Sequence, residues 1–359
     1  MNNLASDLDH ILEHTRGLWE EVRGKRIFLT GGTGFFGCWL LESFLWANHH
    51  LDLKASATVL TRNPPAFQRK APHLAAHPSI ALHTGDVRSF TFPDGPFQFV
   101  IHAATDARLP TAAISLDYLD TIAQGTRHAL EFARHSGASK FLLTSSGAVY
   151  GKQPSEVSHV AEEYFGAPRL DGVGSVYGEG KRMAELLCSL YASNYGLECK
   201  IARCFAFVGP HLPLDAHFAI GNFIRDALWS DRIQVKSDGR SYRSYLYAAD
   251  LAVWLWTILL RGVSCRPYNV GSETAITIRD LAKAVARLLS PDLPVQIERE
   301  LENAKPADRY VPSTDRARVE LGLCERVTLD DAILSTARWY RGQEGDNSTG
   351  TSGVSVAAG

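Results

Sequence analysis

The chain has 359 residues, of which 45% are hydrophobic and 21% are charged, and its formal net charge is −2. This composition is ordinary for a globular protein of one large or two modest domains, and the absence of a long basic run argues against a nucleic-acid partner. The longest apolar run, 251–260, has about half the length of a membrane-spanning helix, and the N-terminus lacks the pattern of a signal peptide, so no membrane partner is expected.

The N-terminal part of the chain alternates between predicted helices and predicted strands. Residues 4–23 have apolar positions at helical spacing, which predicts a helical extension over 1–24 ahead of the main fold. Apolar segments predict strands within 25–37 and at 56–62, 79–87, 97–105 and 139–146, and helices are predicted at 38–50 and 111–135. Such alternation requires crossover connections and gives a parallel sheet with both faces covered. The fold class is therefore α/β, a Rossmann-type doubly wound sheet over residues 25–205.

The character of the sequence changes after Gly151. Residues 152–174 are rich in proline, glycine and charge and are predicted to form a long loop, followed by a helix at 175–195 and a strand at 198–205. From 206 to 342, short helices, strands and loops predict a smaller mixed α/β lobe over the ends of the parallel strands, with some elements returning to the first domain. The tail, 343–359, is small and polar and is expected to be disordered.

The six cysteines are scattered without a CxxC pair, at positions 38, 188, 199, 204, 265 and 324. Most lie in apolar stretches, so buried free thiols in a reducing cytoplasm are the simplest interpretation. Their spacing does not suit a zinc site, and no bound metal is expected.

A glycine-rich turn follows the first predicted strand. Gly31, Gly34 and Gly37 form a G-x-x-G-x-x-G pattern around Phe35 and Phe36, at the start of a predicted helix. Glycines allow a tight turn and let a dinucleotide pyrophosphate approach the helix N-terminus, where unpaired N–H groups favour anions. Plain turns share this pattern, but the flanking strand and helix favour cofactor binding.

The end of the second predicted strand bears on the choice of cofactor. A carboxylate there would hold ribose hydroxyls, but the residues are Thr61 and Arg62. Because an arginine can pair with a 2′-phosphate, NADP is favoured over NAD, although stacking on adenine or simple solvation explains Arg62 equally well. Asp86 and Val87 follow the third strand, where they either contact adenine or cap the turn locally.

Hydroxyl side chains end the fifth predicted strand, and a tyrosine and a lysine begin the next long helix. The strand ends at Thr144, Ser145 and Ser146, and the helix carries Tyr177 and Lys181. Residues four apart share a helix face, so the phenol and the ammonium can converge on one ligand. A nearby ammonium favours phenolate, so the pKa of Tyr177 is expected to be lowered.

The motifs, in this order, resemble the extended short-chain dehydrogenase/reductase family in its nucleotide-sugar epimerase/dehydratase branch. The resemblance covers residues 25–325, nearly the whole chain. The matching segments are TGGTGFFG (30–37), GDV (85–87), IHAAT (101–105), LLTSSGAVYG (142–151), YGEGK (177–181), RCFAFVGP (203–210), GNFIRDAL (221–228), RSYLYAADLA (243–252) and YNVGS (268–272).

The resemblance implies roles for the residues that match. Tyr177 is expected to remove a sugar hydroxyl proton as hydride passes to the nicotinamide of NAD(P), and Lys181 to bind the nicotinamide ribose. Ser146 is expected to hydrogen-bond the reacting oxygen, whereas Ser145 points to the opposite strand face, and either serine also fits a plain strand end. Further expected contacts are Ala103, Ala104 and Thr144 with the cofactor, and Ser145 with the substrate.

The resemblance also implies a site for a nucleotide-diphosphate sugar in the C-terminal lobe. Asn222 and Arg243 match positions that contact the diphosphate, and Arg309 matches an arginine near the nucleotide. Surface ion pairs are the alternative for both arginines. The family often has asparagine where this chain has Ala206, and the candidate replacements are His211, Asp215 and His217, of which a lone histidine is more often structural.

Epimerases, 4,6-dehydratases and decarboxylases of this kind share oxidation at C4 of the sugar, and the two residues after Ser146 help to separate them. Similar dehydratases have an Asp-Glu pair there, and similar decarboxylases have glutamate at the second position, but this chain has Gly147 and Ala148. A C4 epimerase is therefore the first interpretation. An NADPH-dependent 4-ketosugar reductase, which also needs only Ser, Tyr and Lys, is the second, and a 4,6-dehydratase that uses Asp106, Glu179 or another carboxylate from elsewhere is the third.

Two further expectations concern function and assembly. A non-catalytic NAD(P)-binding regulator would be expected to have lost Tyr177 or Lys181, and both are present. The predicted helices at 111–135 and 175–195 resemble those that pair as a four-helix bundle in family dimers, so a homodimer is expected.

Overall fold

A seven-stranded parallel sheet organises the protein. The computed structural model describes residues 4–105, 115–216, 218–298 and 307–349, without the side chains of 344–349. The sheet consists of β1 (Arg26–Thr30), β2 (Ser56–Thr61), β3 (Ile80–Thr84), β4 (Phe99–His102), β5 (Lys140–Ser146), β6 (Glu198–Cys204) and β11 (Pro267–Val270), and the short strands are β7 (Phe207–Val208), β8 (Ile233–Val235), β9 (Tyr242–Arg243), β10 (Leu246–Tyr247), β12 (Ile276–Thr277), β13 (Val295–Ile297) and β14 (Arg309–Tyr310).

The α-helices lie on both faces of this sheet and in the C-terminal lobe. In chain order they are α1 (Ala5–Thr15), α2 (Phe35–His50), α3 (Pro64–Lys70), α4 (Pro72–Ala75), α5 (Leu116–His135), α6 (Val176–Tyr195), α7 (Ala219–Trp229), α8 (Ala248–Arg261), α9 (Ile278–Leu289), α10 (Asp315–Leu321) and α11 (Leu329–Thr349). Short 3₁₀ helices cover 16–22, 147–150 and 173–175. The helix predicted at 111–135 is described from Leu116, since 111–114 lie outside the described residues.

The strand order is β3-β2-β1-β4-β5-β6-β11, and all neighbouring pairs are parallel. The predicted Rossmann-type fold is therefore confirmed. The strand order reverses between β1 and β4, and ligands of such sheets bind in the crevice at the carboxyl ends beside that point. The register places Thr30 opposite His102, and Ser146 opposite Cys204, at this edge.

Side chains on the two faces of the sheet belong to two separate hydrophobic cores. Ile27 and Leu29 of β1 join the core under α2 and α8, whereas Phe28 joins the core under α5 and α6. The Phe28 and Phe132 rings pack with centroids 4.4 Å apart. Since both strand faces are covered, β1 and β5 are buried at every position after the first, as expected of a parallel sheet with helices on both faces.

The N-terminal extension is part of the first core. It forms α1 and then a 3₁₀ helix, rather than the single helix predicted over 4–23. Trp19 is fully buried and its ring lies 4.8 Å from that of Trp256 on α8. Polar contacts add to this packing, because His10 Nε2 lies 3.0 Å from an Asp250 carboxylate oxygen. The extension thus covers α8 and is continuous with the main fold.

Among the described residues, the C-terminal part of the chain adds three small sheets. β9 lies between β12, which runs antiparallel to it, and β14, which runs parallel to it; β7 pairs with β10, and β8 pairs with β13. The register places Tyr242 opposite Arg309, and Arg243 opposite Tyr310. This small sheet brings two distant segments of the lobe together.

The last helix differs from the expectation of a disordered tail. α11 continues to Thr349, so residues 343–349 are helical, and 350–359 lie outside the described residues. Once a helix has formed, each added residue gains one backbone hydrogen bond at low entropic cost, which explains how a polar segment can extend it.

Three chemical features of the described residues complete this picture. All six cysteines lie among them and are free thiols. Within the same ranges, no three His, Cys, Asp or Glu side chains are grouped so that they could hold a metal ion. The helices described here also include none whose length and apolar character would let it cross a bilayer.

Candidate active site

The glycine turn after β1 is tightly packed on the end of β4. Gly31 has a φ of +72°, and a Cβ there would lie 2.3 Å from the carbonyl oxygen of Ala103. A Cβ on Gly37 would lie 2.3 Å from Gly32 Cα. No side chain caps the start of α2 at Gly34, so the first N–H groups of this helix remain available to an anion. The turn therefore has free N–H donors for an anion, and its role in binding a dinucleotide pyrophosphate stays a prediction.

The ends of β1, β4 and β5 are locked together by a buried histidine. His102 Nδ1 lies 2.8 Å from Thr30 Oγ1, and its Nε2 lies 3.1 Å from Thr126 Oγ1. Thr144 Oγ1 donates to the His102 carbonyl at 3.2 Å, and the Ala104 N–H donates to Thr30 Oγ1 at 3.3 Å. Burial lowers the pKa of His102 to about 3, so its ring is neutral. These bonds fix the backbone of 103–104 beside the glycine turn.

The residues predicted at the adenosine end have local partners. Thr61 is buried, and its Oγ1 accepts from the Asn63 N–H at 3.2 Å, whereas Arg62 is exposed. Asp86 accepts from both the N–H and Nε of Arg88 at 2.9 Å, and the hydrogen bond with the Arg88 side chain lowers the pKa of Asp86. Asp86 thus caps its own turn, which was one of its two sequence interpretations.

Val87 has a packing role that the sequence did not indicate. Its side chain is buried in the core under α5 and α6. A Cβ on Gly125 of α5 would lie 2.9 Å from Val87 Cγ1. Val87 therefore sets how closely α5 approaches the end of β3.

The structure brings Ser146, Tyr177 and Lys181 to one place, because α6 packs against β5. Lys181 is 2% exposed and donates to Thr105 Oγ1 at 2.9 Å and to the Thr144 carbonyl at 2.8 Å. Its Nζ lies 5.9 Å from the centre of the Tyr177 ring. Ser146 Oγ accepts from the Ala148 N–H at 3.1 Å. The serine and the lysine are therefore held by the same strand end.

The pKa of Tyr177 differs from the sequence-based expectation. Burial raises the pKa of Tyr177 to about 12, and its interaction with Ser146 opposes this rise. Burial also lowers the pKa of Lys181 to about 8. The expected lowering by Lys181 was wrong, because desolvation of the phenol dominates and the Lys181 ammonium donates to Thr105 and Thr144.

Ser145 faces a buried polar network on the strand face opposite Ser146, so the structure gives no support to its assignment as substrate-binding. Its Oγ donates to Glu185 Oε1 at 2.5 Å, and Glu185 pairs with Arg203 at 2.7 Å. Arg203 in turn donates to Tyr150 Oη at 2.9 Å, and Tyr150 donates to Asn269 Oδ1 at 2.8 Å. Alternation along β5 turns Ser145 into this buried network while Ser146 faces Tyr177.

The space beside Gly147 is filled by an aromatic ring. A Cβ on Gly147 would lie 2.6 Å from Phe205 Cζ. The Phe205 ring packs against the Tyr310 ring, with centroids 4.7 Å apart. A Cβ added at Gly271 would lie 3.2 Å from the Cβ of Phe205, so this side chain is closely packed on that side as well. A side chain at position 147 therefore cannot be added without moving a well-packed ring.

Tyr310 is a site residue that the sequence interpretation missed. Its Oη lies 3.3 Å from Ser146 Oγ and 3.4 Å from the Cys204 carbonyl oxygen. Burial raises the pKa of Tyr310, so the phenol remains protonated. The sequence interpretation singled out Arg309, and a two-residue strand has too little pattern to show that the neighbouring side chain faces Ser146.

The two predicted phosphate-binding arginines lie on opposite faces of the small sheet. Directly opposed residues share a face, so Arg243 lies with Tyr310, and Arg309 lies with Tyr242. The Arg309 guanidinium lies 4.0 Å from the centre of the Tyr242 ring. Arg243 is near Ser146 through Tyr310, whereas the strand register places Arg309 on the opposite face of the small sheet.

The remaining candidates have protein partners. Arg243 donates to the Tyr242 carbonyl at 2.7 Å and lies 3.6 Å from an Asp308 carboxylate oxygen. Asn222 on α7 accepts from Arg225 at 3.3 Å. Glu179 lies 3.6 Å from Arg182. Asp106, the other proposed dehydratase acid, lies outside the described residues.

The candidate replacements for the family asparagine are not gathered at the triad. His211 is buried, with its Nε2 3.7 Å from a Glu42 carboxylate oxygen of α2 and its ring 4.8 Å from that of Trp339. Asp215 is exposed, and His217 lies outside the described residues. The contacts of His211 with Glu42 and Trp339 favour a structural role for this histidine, which was one of its two sequence interpretations.

Known proteins are similar to this chain in sequence and in architecture. UDP-glucuronic acid decarboxylase 6 of Arabidopsis thaliana is 30% identical over 314 residues, which cover 86% of each chain. The structure of UDP-glucuronic acid 4-epimerase from Bacillus cereus, in complex with UDP-glucuronic acid and NAD, has a TM-score of 0.74 at 21% identity and covers 89% of this chain and 99% of that one. dTDP-glucose 4,6-dehydratase from Streptomyces venezuelae, with NAD bound, has a TM-score of 0.73 at 23% identity, covering 89% and 98%.

A family model also matches most of the chain. The model of the NAD-dependent epimerase/dehydratase family matches residues 27–271, from β1 to the end of β11. This range contains the glycine turn, Ser146, Tyr177 and Lys181. The chain belongs to the NAD-dependent epimerase/dehydratase family, which confirms the resemblance found in its motifs.

Proposed function

We propose that the protein is an NAD(P)-dependent nucleotide-sugar C4 epimerase. The observation that supports this most is the packing of Phe205 against Gly147, with Ala148 beside it. The two positions that carry acids in similar dehydratases, and the one that carries an acid in similar decarboxylases, therefore hold no ionisable side chain. Ser146, Tyr177 and Lys181 suffice for proton exchange at a C4 hydroxyl and its ketone.

The residues present fit the dinucleotide. The glycine turn and the uncapped start of α2 would hold its pyrophosphate, and Lys181 would hold the nicotinamide ribose. When bound in its oxidised form, the dinucleotide supplies a hydride acceptor for C4 and a positive charge near the phenol. Exposed Arg62 at the end of β2 supports NADP over NAD in this proposal.

The side chains divide the proton chemistry among them. Tyr177 takes the C4 hydroxyl proton and later returns it, and Ser146 donates a hydrogen bond to the same oxygen. Burial lowers the pKa of Lys181 to about 8, so most molecules carry a protonated Lys181 at neutral pH. This positive charge favours the Tyr177 phenolate when the phenol exchanges its proton with the substrate. Both transfers use the same phenol, so no second acid is needed.

The substrate would be held through its diphosphate. Arg243 is 29% exposed and lies with Tyr310 on the face of the small sheet nearest Ser146. A guanidinium in this position can give a diphosphate two parallel hydrogen bonds. Asn222 is the second candidate contact, from α7. This arrangement supports a nucleotide-diphosphate sugar whose hexose reaches Ser146 and Tyr177.

A second candidate is a UDP-glucuronic acid decarboxylase, because relatives that match most of this chain carry that name. A uronic acid oxidised at C4 is a β-keto acid and loses carbon dioxide readily, but the product needs a proton at C5. Ala148 cannot supply it. The decarboxylase therefore ranks below the epimerase on the chemistry of this position.

The test is to incubate the protein with UDP-, dTDP-, GDP- and CDP-sugars, uronic acids included, with and without NADPH, and to analyse products by mass spectrometry. An unchanged mass with altered retention is expected and indicates epimerisation. Loss of water, loss of carbon dioxide or gain of two hydrogens would instead establish a dehydratase, a decarboxylase or a reductase. Tyr177→Phe serves as the inactive control.

Assembly as a homodimer is a further part of the proposal. Met183, Leu186 and Leu190 form an exposed apolar stripe along α6, at three- and four-residue spacing. The neighbouring α5 packs alongside α6. A second copy of the same pair of helices would cover this stripe, and we propose that it does.

A further inference from the structure

The hydroxyl of Ser146 lies between two phenols that come from different parts of the chain. Its Oγ interacts with Tyr177 of α6 and lies 3.3 Å from Tyr310 Oη of β14. Both phenols are desolvated, and the interaction with Ser146 favours the ionised form of each. Ser146 is therefore the common neighbour of a tyrosine from the dinucleotide-binding domain and one from the C-terminal lobe.

The direction of the Ser146 proton depends on Tyr310. A serine hydroxyl has one proton and two lone pairs, and the Ala148 N–H already occupies one lone pair at 3.1 Å. If Tyr310 donates into the second lone pair, the Ser146 proton is free to point toward Tyr177 and the reacting oxygen. If Tyr310 instead donates to the Cys204 carbonyl, 3.4 Å away, Ser146 would donate to Tyr310 and turn from Tyr177.

Packing and strand pairing hold Tyr310 within reach of both acceptors, Ser146 Oγ and the Cys204 carbonyl oxygen. Its ring packs on Phe205 with centroids 4.7 Å apart, and the β9–β14 pairing places it opposite Arg243. The positive charge of Arg243 acts on the Tyr310 phenol and opposes the effect of burial. A ligand anion on Arg243 would weaken that charge and make the Tyr310 phenol less ready to ionise. The phenol is thus sensitive to what Arg243 binds.

We propose that Tyr310 is a positioning residue that orients the Ser146 hydroxyl toward Tyr177 and so connects the C-terminal lobe to proton transfer. The proposal rests on the proposed C4 chemistry for its catalytic consequence. The orientation of the hydroxyl itself does not require that chemistry, and the two are tested separately.

The kinetic test is Tyr310→Phe, which keeps the ring on Phe205 and removes only the hydroxyl. We expect kcat to fall about tenfold with KM nearly unchanged, as for an interaction made chiefly in the transition state. The rise of kcat with pH should move to higher pH, because a less available Ser146 proton stabilises the Tyr177 phenolate less. Unchanged kcat and pH profile would overturn the proposal.

A matched control separates positioning from general loss of stability. Tyr340 also donates its phenol proton to a carbonyl, that of Leu212. Tyr340→Phe therefore loses a comparable hydrogen bond at a place without contact to Ser146, and its pH profile should match the wild type. If Tyr340→Phe shifts the profile as much as Tyr310→Phe does, the effect is structural and the proposal fails.

An activity-independent measurement distinguishes failure of this proposal from failure of the epimerase assignment. The Tyr177 Cζ resonance, in protein labelled with ¹³C-tyrosine, loaded with NAD and assigned with Tyr177→Phe, reports ionisation directly. We expect Tyr310→Phe to raise its apparent pKa, and to have no further effect in a Ser146→Ala background. That result supports positioning even if no sugar is epimerised. Equal shifts with and without Ser146 would overturn it.

Discussion

Phe205 occupies the space into which a side chain at Gly147 would project, with Phe205 Cζ 2.6 Å from the position of a Cβ there. The contact joins the residue after Ser146 to the residue after β6. It keeps this part of the site free of ionisable groups, and it does so by packing as well as by the choice of glycine.

Gly147→Ala should destabilise the protein by about 1–3 kcal/mol, because a methyl group must be accommodated against a packed ring. Chemical denaturation of the variant and the wild type measures this difference. Gly172→Ala is the matched control, since a Cβ at Gly172 has no neighbour within 4 Å. Phe205→Leu combined with Gly147→Ala should recover part of the loss; no recovery would show that the ring is not the obstacle.

Lys181→Met should abolish activity but increase stability near neutral pH. Burial lowers the pKa of Lys181 from 10.5 to about 8, so folding favours its neutral form. Below about pH 8 the lysine is charged in both states and its full desolvation cost is present; as pH rises toward 10.5 only the unfolded state binds the proton, and the wild type gains stability.

The measurement for Lys181 is the unfolding free energy of both proteins between pH 7 and pH 10.5. The advantage of Lys181→Met should shrink as pH rises through this window. The exposed Lys152 provides a control, because Lys152→Met should differ from the wild type by an amount that does not follow this trend. A difference for Lys181→Met that is independent of pH would contradict the burial argument.

Arg243→Ala and Arg309→Ala should affect different properties. Loss of a charge-assisted hydrogen bond costs about 1.5–3 kcal/mol, so Arg243→Ala should raise the Kd for a nucleotide-diphosphate sugar about tenfold or more. Arg309→Ala removes a stacking contact on Tyr242 and should leave the Kd almost unchanged. Isothermal titration calorimetry compares the two; equal losses of affinity would show that both arginines reach the ligand.

Leu186→Glu should convert a homodimer to a monomer. The substitution places a charge in the middle of the exposed stripe on α6, where Leu186 is 54% exposed. Sedimentation velocity at micromolar concentration measures the mass. Val319→Glu is the control, since Val319 on α10 is 75% exposed and lies off the stripe. A monomeric wild type would exclude the proposed dimer.

The parts of the molecule that the sequence predicted are those with long or repeated signals. The parallel sheet was predictable because apolar residues cluster in β1, β2, β5 and β6 and these segments alternate with helices. The proximity of Ser146, Tyr177 and Lys181 was predictable because their motifs occur in a fixed order. Tyr310 was not, since a two-residue strand has too little pattern to show which side chain faces the site.

Other differences between the predicted and the observed site arise where two physical effects oppose each other and the sequence does not show which is larger. The pKa of Tyr177 depends on whether a cation or desolvation dominates, and this requires knowing how deep the phenol lies and where the ammonium points. Ser145 and Ser146 are equivalent in the sequence until the strand face that packs on α6 is known. Asp86 could be read as ligand or cap, and only its distance to Arg88 favours the cap.

The packing of the N-terminal extension on α8 has a consequence for how the chain folds during synthesis. Leu8, Ile11 and Trp19 are buried, and the core that buries them includes α8, which ends at Arg261. During synthesis, the apolar face of α1 that packs on α8 therefore stays uncovered until Arg261 at the end of α8 has left the ribosome. Because uncovered apolar surface promotes aggregation, this segment is among those most in need of chaperone protection.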